Sequence, residues 1–297
     1  MSRPEVLVIG GSNLDIIGTS LQTLIPGDSN PGSIKRSAGG VGRNITENLA
    51  RLGLPVSFIT VLGEDRTGRR LLNTLEQLDV DMVVKTTDKT SIYMAICAPD
   101  GQTETAISDM KIMDALNSDF LREHQTKIEG AEIVVVDPNL DEVALDFVFK
   151  HASRVFVDGV STSKTVKLKP FLHRIDTLKL NRLELEALSE PDEGTREFEA
   201  KAIQDLLSQG VKRVALTLGD KGAKLITPKG ELYREPIHIP IINTTGAGDA
   251  FMAGLIYAEK RSLPALKTAM TLAEITIEAK SAVNPDLTAD MLLERIK

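Results

Sequence analysis

Short apolar runs rich in β-branched residues recur along the chain and alternate with amphipathic stretches, and this alternation limits the possible folds more than any other feature. Val6 to Ile9, Val56 to Val61, Ile133 to Val136, Val155 to Val157, Thr177 to Leu180 and Val214 to Leu218 are continuous enough to be buried on both faces. Strands of that kind belong to a parallel sheet with helices on both sides. Between them, Ile45, Leu49 and Leu52 fall on one helical face that ends at Gly53, and Leu71, Leu72, Leu75 and Leu78 form a second. Both read as crossover helices.

Residues 90 to 107 follow a different period. Ile92, Met94 and Ile96 alternate with other residues, Pro99-Asp100-Gly101 supplies a turn, and Thr103, Thr105 and Ile107 alternate again. This pattern predicts an antiparallel hairpin. Residues 14 to 38, rich in Gly, Pro and Ser, are expected to add strands to it. The expected organisation is α/β: one domain over residues 1–297, with a mostly parallel central sheet and a small antiparallel β lid from segments near 14–38 and 90–107. A lid of this kind suits a site at the carboxyl ends of the parallel strands.

With 42 acidic against 35 basic residues, the net charge of −7 argues against a nucleic-acid backbone as partner. The single Cys97 forms neither an internal disulfide nor a thiolate metal site. No apolar run approaches the roughly 20 residues of a membrane span, and no signal-peptide pattern precedes Val6. A cytoplasmic enzyme or binding protein with small-molecule partners is expected.

The chemistry is densest at residues 243 to 251, Asn-Thr-Thr-Gly-Ala-Gly-Asp-Ala-Phe, which lead into an apolar helix. The first N–H groups of a helix lack intrahelical acceptors and, with the macrodipole, attract anions. Gly246, Ala247 and Gly248 allow close backbone approach, whereas Asp249 opposes an anion unless it has its own task. Accepting the proton of a hydroxyl that attacks phosphorus is one such task; stabilising a helix start is the other.

Known phosphate motifs do not account for this turn. A dinucleotide fingerprint starting at Gly40 or Gly246 would need glycine where Ile45 and Phe251 stand, Gly10-Gly11 lacks the pattern, and Gly-Lys-Ser or Gly-Lys-Thr occurs nowhere. In the N-terminal half, Asn13 and Asp15 follow the first strand and suit either sugar hydroxyls or an Asx turn. Gly39 and Gly40 open the next helix, where Asn44 suits either a ribose or a helix cap.

Four motifs, in order and spacing, resemble the ribokinase-like, PfkB-type carbohydrate and nucleoside kinases over essentially the whole chain. They are Gly39-Gly40 with Gly42 and Asn44; Lys179-Leu180-Asn181-Arg182-Leu183-Glu184; Thr217-Leu218-Gly219-Asp220-Lys221-Gly222; and Thr245-Gly246-Ala247-Gly248-Asp249-Ala250-Phe251. The resemblance implies a ribokinase-like three-layer core and transfer from ATP. It implies Asp249 as catalytic base, with Gly246, Ala247 and Gly248 as the anion hole. Asn13, Asp15, Gly39, Gly40 and Asn44 would hold the acceptor sugar. Asn181 and Glu184 would hold nucleotide phosphates and Mg²⁺ through water, with a solvated helix carboxylate as the alternative for Glu184. Thr217, Gly219 and Gly222 would border the nucleotide. Mg²⁺ is also required electrostatically, because Asp249 and Glu184 would otherwise repel a triphosphate.

Asn243 stands where many members carry Asp, at a monovalent-cation site completed by a loop matching Lys280 to Asp286 here, which weakens the inference of K⁺. That residue, the 39–53 stretch, Ile107 to Met110 and Val283 to Pro285 are most similar to the pseudouridine-kinase branch, with ribokinase, adenosine kinase and keto-sugar kinases as alternatives. A C-nucleoside needs groups that read a uracil edge. Tyr93, Ser108, Asp109, Asn139 and Lys164 are the candidates by position; the first three also suit hairpin capping or core roles, and Lys164 suits a plain surface lysine. A catalytically silent sugar- or nucleoside-binding regulator would keep the fold yet lose Asp249 or the glycine turn, and this chain keeps both. A homodimer through an apolar lid face is expected.

Overall fold

The computed structural model describes residues 5–189, 196–237 and 239–297. In chain order the strands are β1 (Val6–Ile9), β2 (Asn13–Ser20), β3 (Gly32–Gly39), β4 (Val56–Gly63), β5 (Asp81–Thr87), β6 (Ser91–Cys97), β7 (Thr103–Asp109), β8 (Ile133–Val136), β9 (Val155–Asp158), β10 (Ile175–Asn181), β11 (Arg213–Thr217), β12 (Ala223–Thr227) and β13 (Gly230–Arg234). The helices are α1 (Val41–Arg51), α2 (Arg66–Glu76), α3 (Ser118–Glu123), α4 (Gln125–Gly130), α5 (Glu142–His151), α6 (Thr162–Thr165), α7 (Arg182–Leu188), α8 (Arg196–Ser208), α9 (Ala247–Arg261), α10 (Ala265–Ile277) and α11 (Ala289–Ile296).

Nine strands form one sheet in the order β13-β12-β11-β10-β9-β8-β1-β4-β5; β11 through β5 run parallel, and β12 and β13 are an antiparallel edge. Every apolar run expected to be a strand lies in this sheet. The alternation of side chains across it separates two cores. Leu7, Ile9, Val134 and Val136 pack with residues of α3, α4, α5, α7 and α8 on one face. Val6, Val8, Ile133 and Val135 pack with residues of α1, α2, α9, α10 and α11 on the other. The result is the expected three-layer, ribokinase-like α/β arrangement. Edge strands β5, β12 and β13 were not anticipated, because their mixed polar composition carries no continuous apolar run.

The smaller sheet has the order β3-β2-β6-β7. The hairpin of β6 and β7 is antiparallel as expected, and residues 14–38 do add two strands, β2 pairing parallel to β6. Cross-strand partners share a face, so Asp15, Ser37, Tyr93 and Ser108 lie on one side. Ile16, Arg36, Met94 and Ile107 lie on the opposite side. That outer side carries Ile34 at 74%, Ile107 at 68% and Met94 at 40% exposure.

Two further features place the site. In the large sheet β1 is flanked by β8 on one side and β4 on the other, so the chain changes direction there and leaves a crevice beyond the carboxyl ends of β1 and β8. Helix α9 runs buried from Asp249 to Ala258, and Glu259 near its far end pairs with Arg154 and Arg213, whose guanidiniums both lie over the Phe156 ring. No helix among the described residues is long and apolar enough to cross a membrane.

Candidate active site

Helix α9 begins at Gly246, held left-handed at φ 84°, with no side chain capping the turn. A Cβ at Gly246 would lie 2.0 Å from the Ala282 carbonyl oxygen, so residue 246 has no room for any side chain. Ala247 N donates to Thr244 O, and the first intrahelical bond comes from Ala250 N. The N–H groups of Gly248 and Asp249 are therefore without intrahelical acceptors.

Asp249 is buried at 9% exposure and accepts a 2.8 Å hydrogen bond on Oδ2 from Asn44 Nδ2. Burial pushes its carboxyl up to about 7, reinforced by the charges of Asp158 and Asp137 and opposed by Lys179 and the Asn44 bond. A carboxylate poised near neutrality is what a general base requires.

Lys179 interrupts the otherwise apolar run of β10 and is 6% exposed. Its Nζ lies 3.0 Å from Asp158 Oδ2, and a Cβ added at Gly248 would meet that Nζ at 2.6 Å, so the ammonium sits directly beneath the anion turn. Burial pulls Lys179 down, but Asp158, Glu184 and Asp249 more than offset it and hold the group above the ordinary lysine range. Asp137, Asp158 and Lys179 were not among the sequence-based candidates as site residues. Each carried a signal: a carboxylate closing an apolar strand, or a lysine inside one.

Asn181 and Glu184 start α7 with a closed capping box. Asn181 Oδ1 accepts from Glu184 N, and Glu184 accepts from Asn181 N on Oε2 and from Asn181 Nδ2 on Oε1, all at 2.9 Å. Glu184 is 2% exposed, not a solvated helix carboxylate; burial raises its proton affinity, Lys179 lowers it, and Asp158 raises it again. Thr217 lies beside Asn181 in register, its Oγ1 donating to Leu180 O at 3.3 Å. Gly219 and Gly222 both have positive φ in the turn from β11 to β12.

On the acceptor side, Asn13 and Asp15 belong to strand β2 instead of an Asx turn, and Asn13 Nδ2 donates to Asp15 Oδ1 at 2.6 Å. Asp15 fills the space where a Gly39 Cβ would stand, 2.3 Å from its Oδ2. Gly40, at φ 100°, would set a Cβ 2.4 Å from Gly11 O. Asn44 is inside α1, not at its cap. Tyr93 and Ser108 share the Asp15 face, whereas Asp109 pairs with Ile92 and points to the other side, because neighbours along a strand alternate.

Past β8, Asp137 accepts from Gly11 N at 2.9 Å and from Asn139 N and Nδ2 at 3.0 and 2.6 Å. Lys164 Nζ contacts Asn139 Oδ1, which distinguishes it from a surface lysine; burial lowers its proton affinity, Asp137 raises it, and Lys167 lowers it. Lys167 instead donates to Pro138 O and Leu140 O. Asn243 Oδ1 accepts from Thr245 N at 3.1 Å, and its own N–H donates to Ile277 O.

These parts surround Asp249: an open helix start and the buried Lys179 ammonium on one side, and the amides and carboxylates of Asn13, Asp15 and Asn44 on the other. Among the described residues no three His, Cys, Asp or Glu side chains cluster to hold a metal. A divalent cation therefore fits only if anionic ligand oxygens and water complete its shell, with Glu184 outside it.

The sequence profile described as pfkB family carbohydrate kinase matches residues 3–289. A pseudouridine kinase of Escherichia coli (strain K12) is 37% identical over 294 residues, covering 96% of this chain and 94% of its own. An uncharacterized sugar kinase of the same organism, YeiI, is 35% identical and covers 98% of this chain and 83% of its own. The solved ribokinase of Arabidopsis thaliana with ribose and ATP superposes at a TM-score of 0.83 with 23% identity, covering 100% of this chain and 99% of its own. A sparse, ordered set of site residues, the ribokinase-like fold and a family match across nearly the whole length converge: the chain belongs to the pfkB family of carbohydrate kinases, phosphotransferases that act on a hydroxyl group.

Proposed function

We propose that the protein transfers the γ-phosphoryl group of ATP to the 5′-hydroxyl of pseudouridine. The observation that carries phosphoryl transfer is Asp249, a buried carboxylate pushed up to about 7 and set between an uncapped helix start and the Asn44 amide, while the choice of acceptor is supported by the likeness to the pseudouridine kinase of Escherichia coli. The acceptor oxygen attacks the γ-phosphorus while its proton passes to Asp249, and the bond to the β-phosphate oxygen breaks to release ADP. The N–H groups of Gly248 and Asp249 and the Lys179 ammonium meet charge on the transferred group. Mg²⁺ bound to the triphosphate supplies further charge neutralisation, and Glu184 with Asn181 would hold it through water. A monovalent cation beside the turn would be held by Asn243, whose amide carries no formal charge, and the 280–286 loop.

Asn13 and Asp15 suit the ribose hydroxyls against the Gly39-Gly40 backbone. Tyr93, Ser108, Asn139 and Lys164 are offered for the uracil edge; Asp109, on the other face, is left out. The four-stranded sheet acts as the lid of a single kinase domain, and its outer face, with Ile34, Met94 and Ile107, pairs with a second copy. Incubation with Mg·ATP and an equimolar mixture of pseudouridine, uridine, adenosine, ribose and fructose, read by mass and phosphorus NMR, tests the acceptor. If pseudouridine emerges unmodified while another acceptor reacts, the pseudouridine assignment is wrong and the kinase assignment stands.

A further inference from the structure

Helix α1 carries three charged side chains at i, i+4 and i+8, where surface charges are ordinary and buried ones are not. Arg43 is 4% and Glu47 3% exposed. Arg43 Nη2 forms an ion pair with Glu47, and Arg51 Nε donates to Glu47 Oε1 at 2.8 Å. Replacing buried ion pairs with apolar residues of similar volume is often neutral or stabilising, so packing alone does not explain such a triad. Arg43 Nε is also buried with no partner among the described residues, a costly arrangement for a merely structural group.

The triad is connected at both ends. Arg43 Nη1 donates to Asn44 Oδ1 at 3.0 Å, and Asn44 Nδ2 donates to Asp249 Oδ2 at 2.8 Å. Arg51 Nη1 donates to Pro285 O at 2.5 Å, in the same loop whose Ala282 carbonyl closes over Gly246.

We propose that Arg43 is a positioning residue for phosphoryl transfer, fixing the Asn44 amide so that its NH₂ faces Asp249, while Glu47 and Arg51 tie that amide to the loop packed on the anion turn. The inference rests on Asp249 being the base. A guanidinium only donates and an ionised carboxylate only accepts, so an amide between them has one satisfied orientation. Flipping it would set NH₂ against guanidinium and oxygen against carboxylate. Fixing it occupies Asp249 Oδ2 and leaves Oδ1 to take the hydroxyl proton.

The groups facing Asp249 are Asn44 and Arg43 from α1, Asp137 from the end of β8, Asp158 from β9 and Lys179 from β10. Without Arg43 the carboxylate loses a nearby cation and an oriented donor, while both acidic neighbours remain. Its proton is then held more tightly, and the acidic limb of the kcat profile moves to higher pH.

The test compares wild type, R43M, R43K and R51M once an accepted substrate is known, and uses D249A to separate the two readings. For R43M, kcat at pH 7 is expected to fall about tenfold or more with KM for Mg·ATP within about twofold. Its acidic limb should rise by about half a pH unit. R43K should recover part of kcat, and R51M should lose roughly two- to fivefold through the loosened loop. Wild-type kcat and an unmoved acidic limb in R43M overturn the proposal, as does a loss confined to KM. If R43M does not fold, R43K and R51M decide: wild-type kcat and limb in both overturn it. Near-wild-type turnover in D249A instead overturns the base assignment, whatever Arg43 does.

Discussion

Two helices begin at the same crevice and finish their starts in opposite ways. At α9 a left-handed glycine makes the turn, no side chain caps it, and the N–H groups of Gly248 and Asp249 are left without intrahelical acceptors. At α7 the side chains of Asn181 and Glu184 close a capping box over each other's backbone N–H. A start without a side-chain cap leaves its third N–H for something other than its own cap, whereas a capping box takes that N–H and sets a carboxylate beside the turn. On the proposed reading, the difference gives backbone recognition of phosphate to α9 and leaves a carboxylate, already fixed in place, at α7.

The most severe way to break this contrast is to remove the carboxylate from the open start. D249A is expected to lower kcat by about 10² to 10⁴ with smaller changes in KM, measured by steady-state kinetics. The same residue makes a signed prediction for stability. Its native proton affinity, about 7, lies above the ordinary 3.8, so its favourable contribution is complete below pH 4 and is lost as pH rises through 7. D249N should accordingly melt above wild type at pH 8, the two converging near pH 4, in thermal scans across pH.

A methyl group at the hinge of the open start comes next. G246A places a side chain at positive φ and against Ala282 O, and is expected to cost about 1 to 3 kcal/mol by denaturant titration and roughly tenfold or more in kcat. For the closed start, E184Q separates cap from charge. Glutamine sustains a capping box, so E184Q should fold normally while raising the Mg²⁺ concentration for half-maximal activity roughly tenfold. An unchanged Mg²⁺ requirement would reduce Glu184 to a cap. The smallest effect is expected for N181A, about 1 kcal/mol of stability by denaturant titration, from loss of the cap.

How much of this was legible before the fold is best judged residue by residue. The central strands were readable because burial on both faces demands unbroken apolar runs, and β5, β12 and β13 were not, because strands at the ends of the sheet tolerate polar residues. The turn at 246–249 declared itself through glycine spacing. Arg43 did not, since an arginine at helical spacing from a glutamate ordinarily describes a solvated face; its burial follows from α1 packing against α9, a contact between distant parts of the chain. Lys179 stood inside a quoted motif without a role, for only the fold brings β10 beneath Gly248. Asp109 shows the opposite limit, because one residue along a strand reverses the face, and parity is settled only when the register is known.

Helix α9 carries a consequence beyond its first turn. Its 15 residues span about 22 Å, of which about 15 Å separate Asp249 at the crevice from Glu259, gripped by Arg154 and Arg213 at the amino ends of β9 and β11. A group mounted on a beam clamped at its other end moves only when the whole sheet moves. If the proposed reading holds, the molecule separates a part that must stay still from one that can vary: substitutions in β2, β6 and β7 would shift acceptor preference while the carboxylate keeps its place. Attempts to redirect the enzyme toward another acceptor would then begin in those strands.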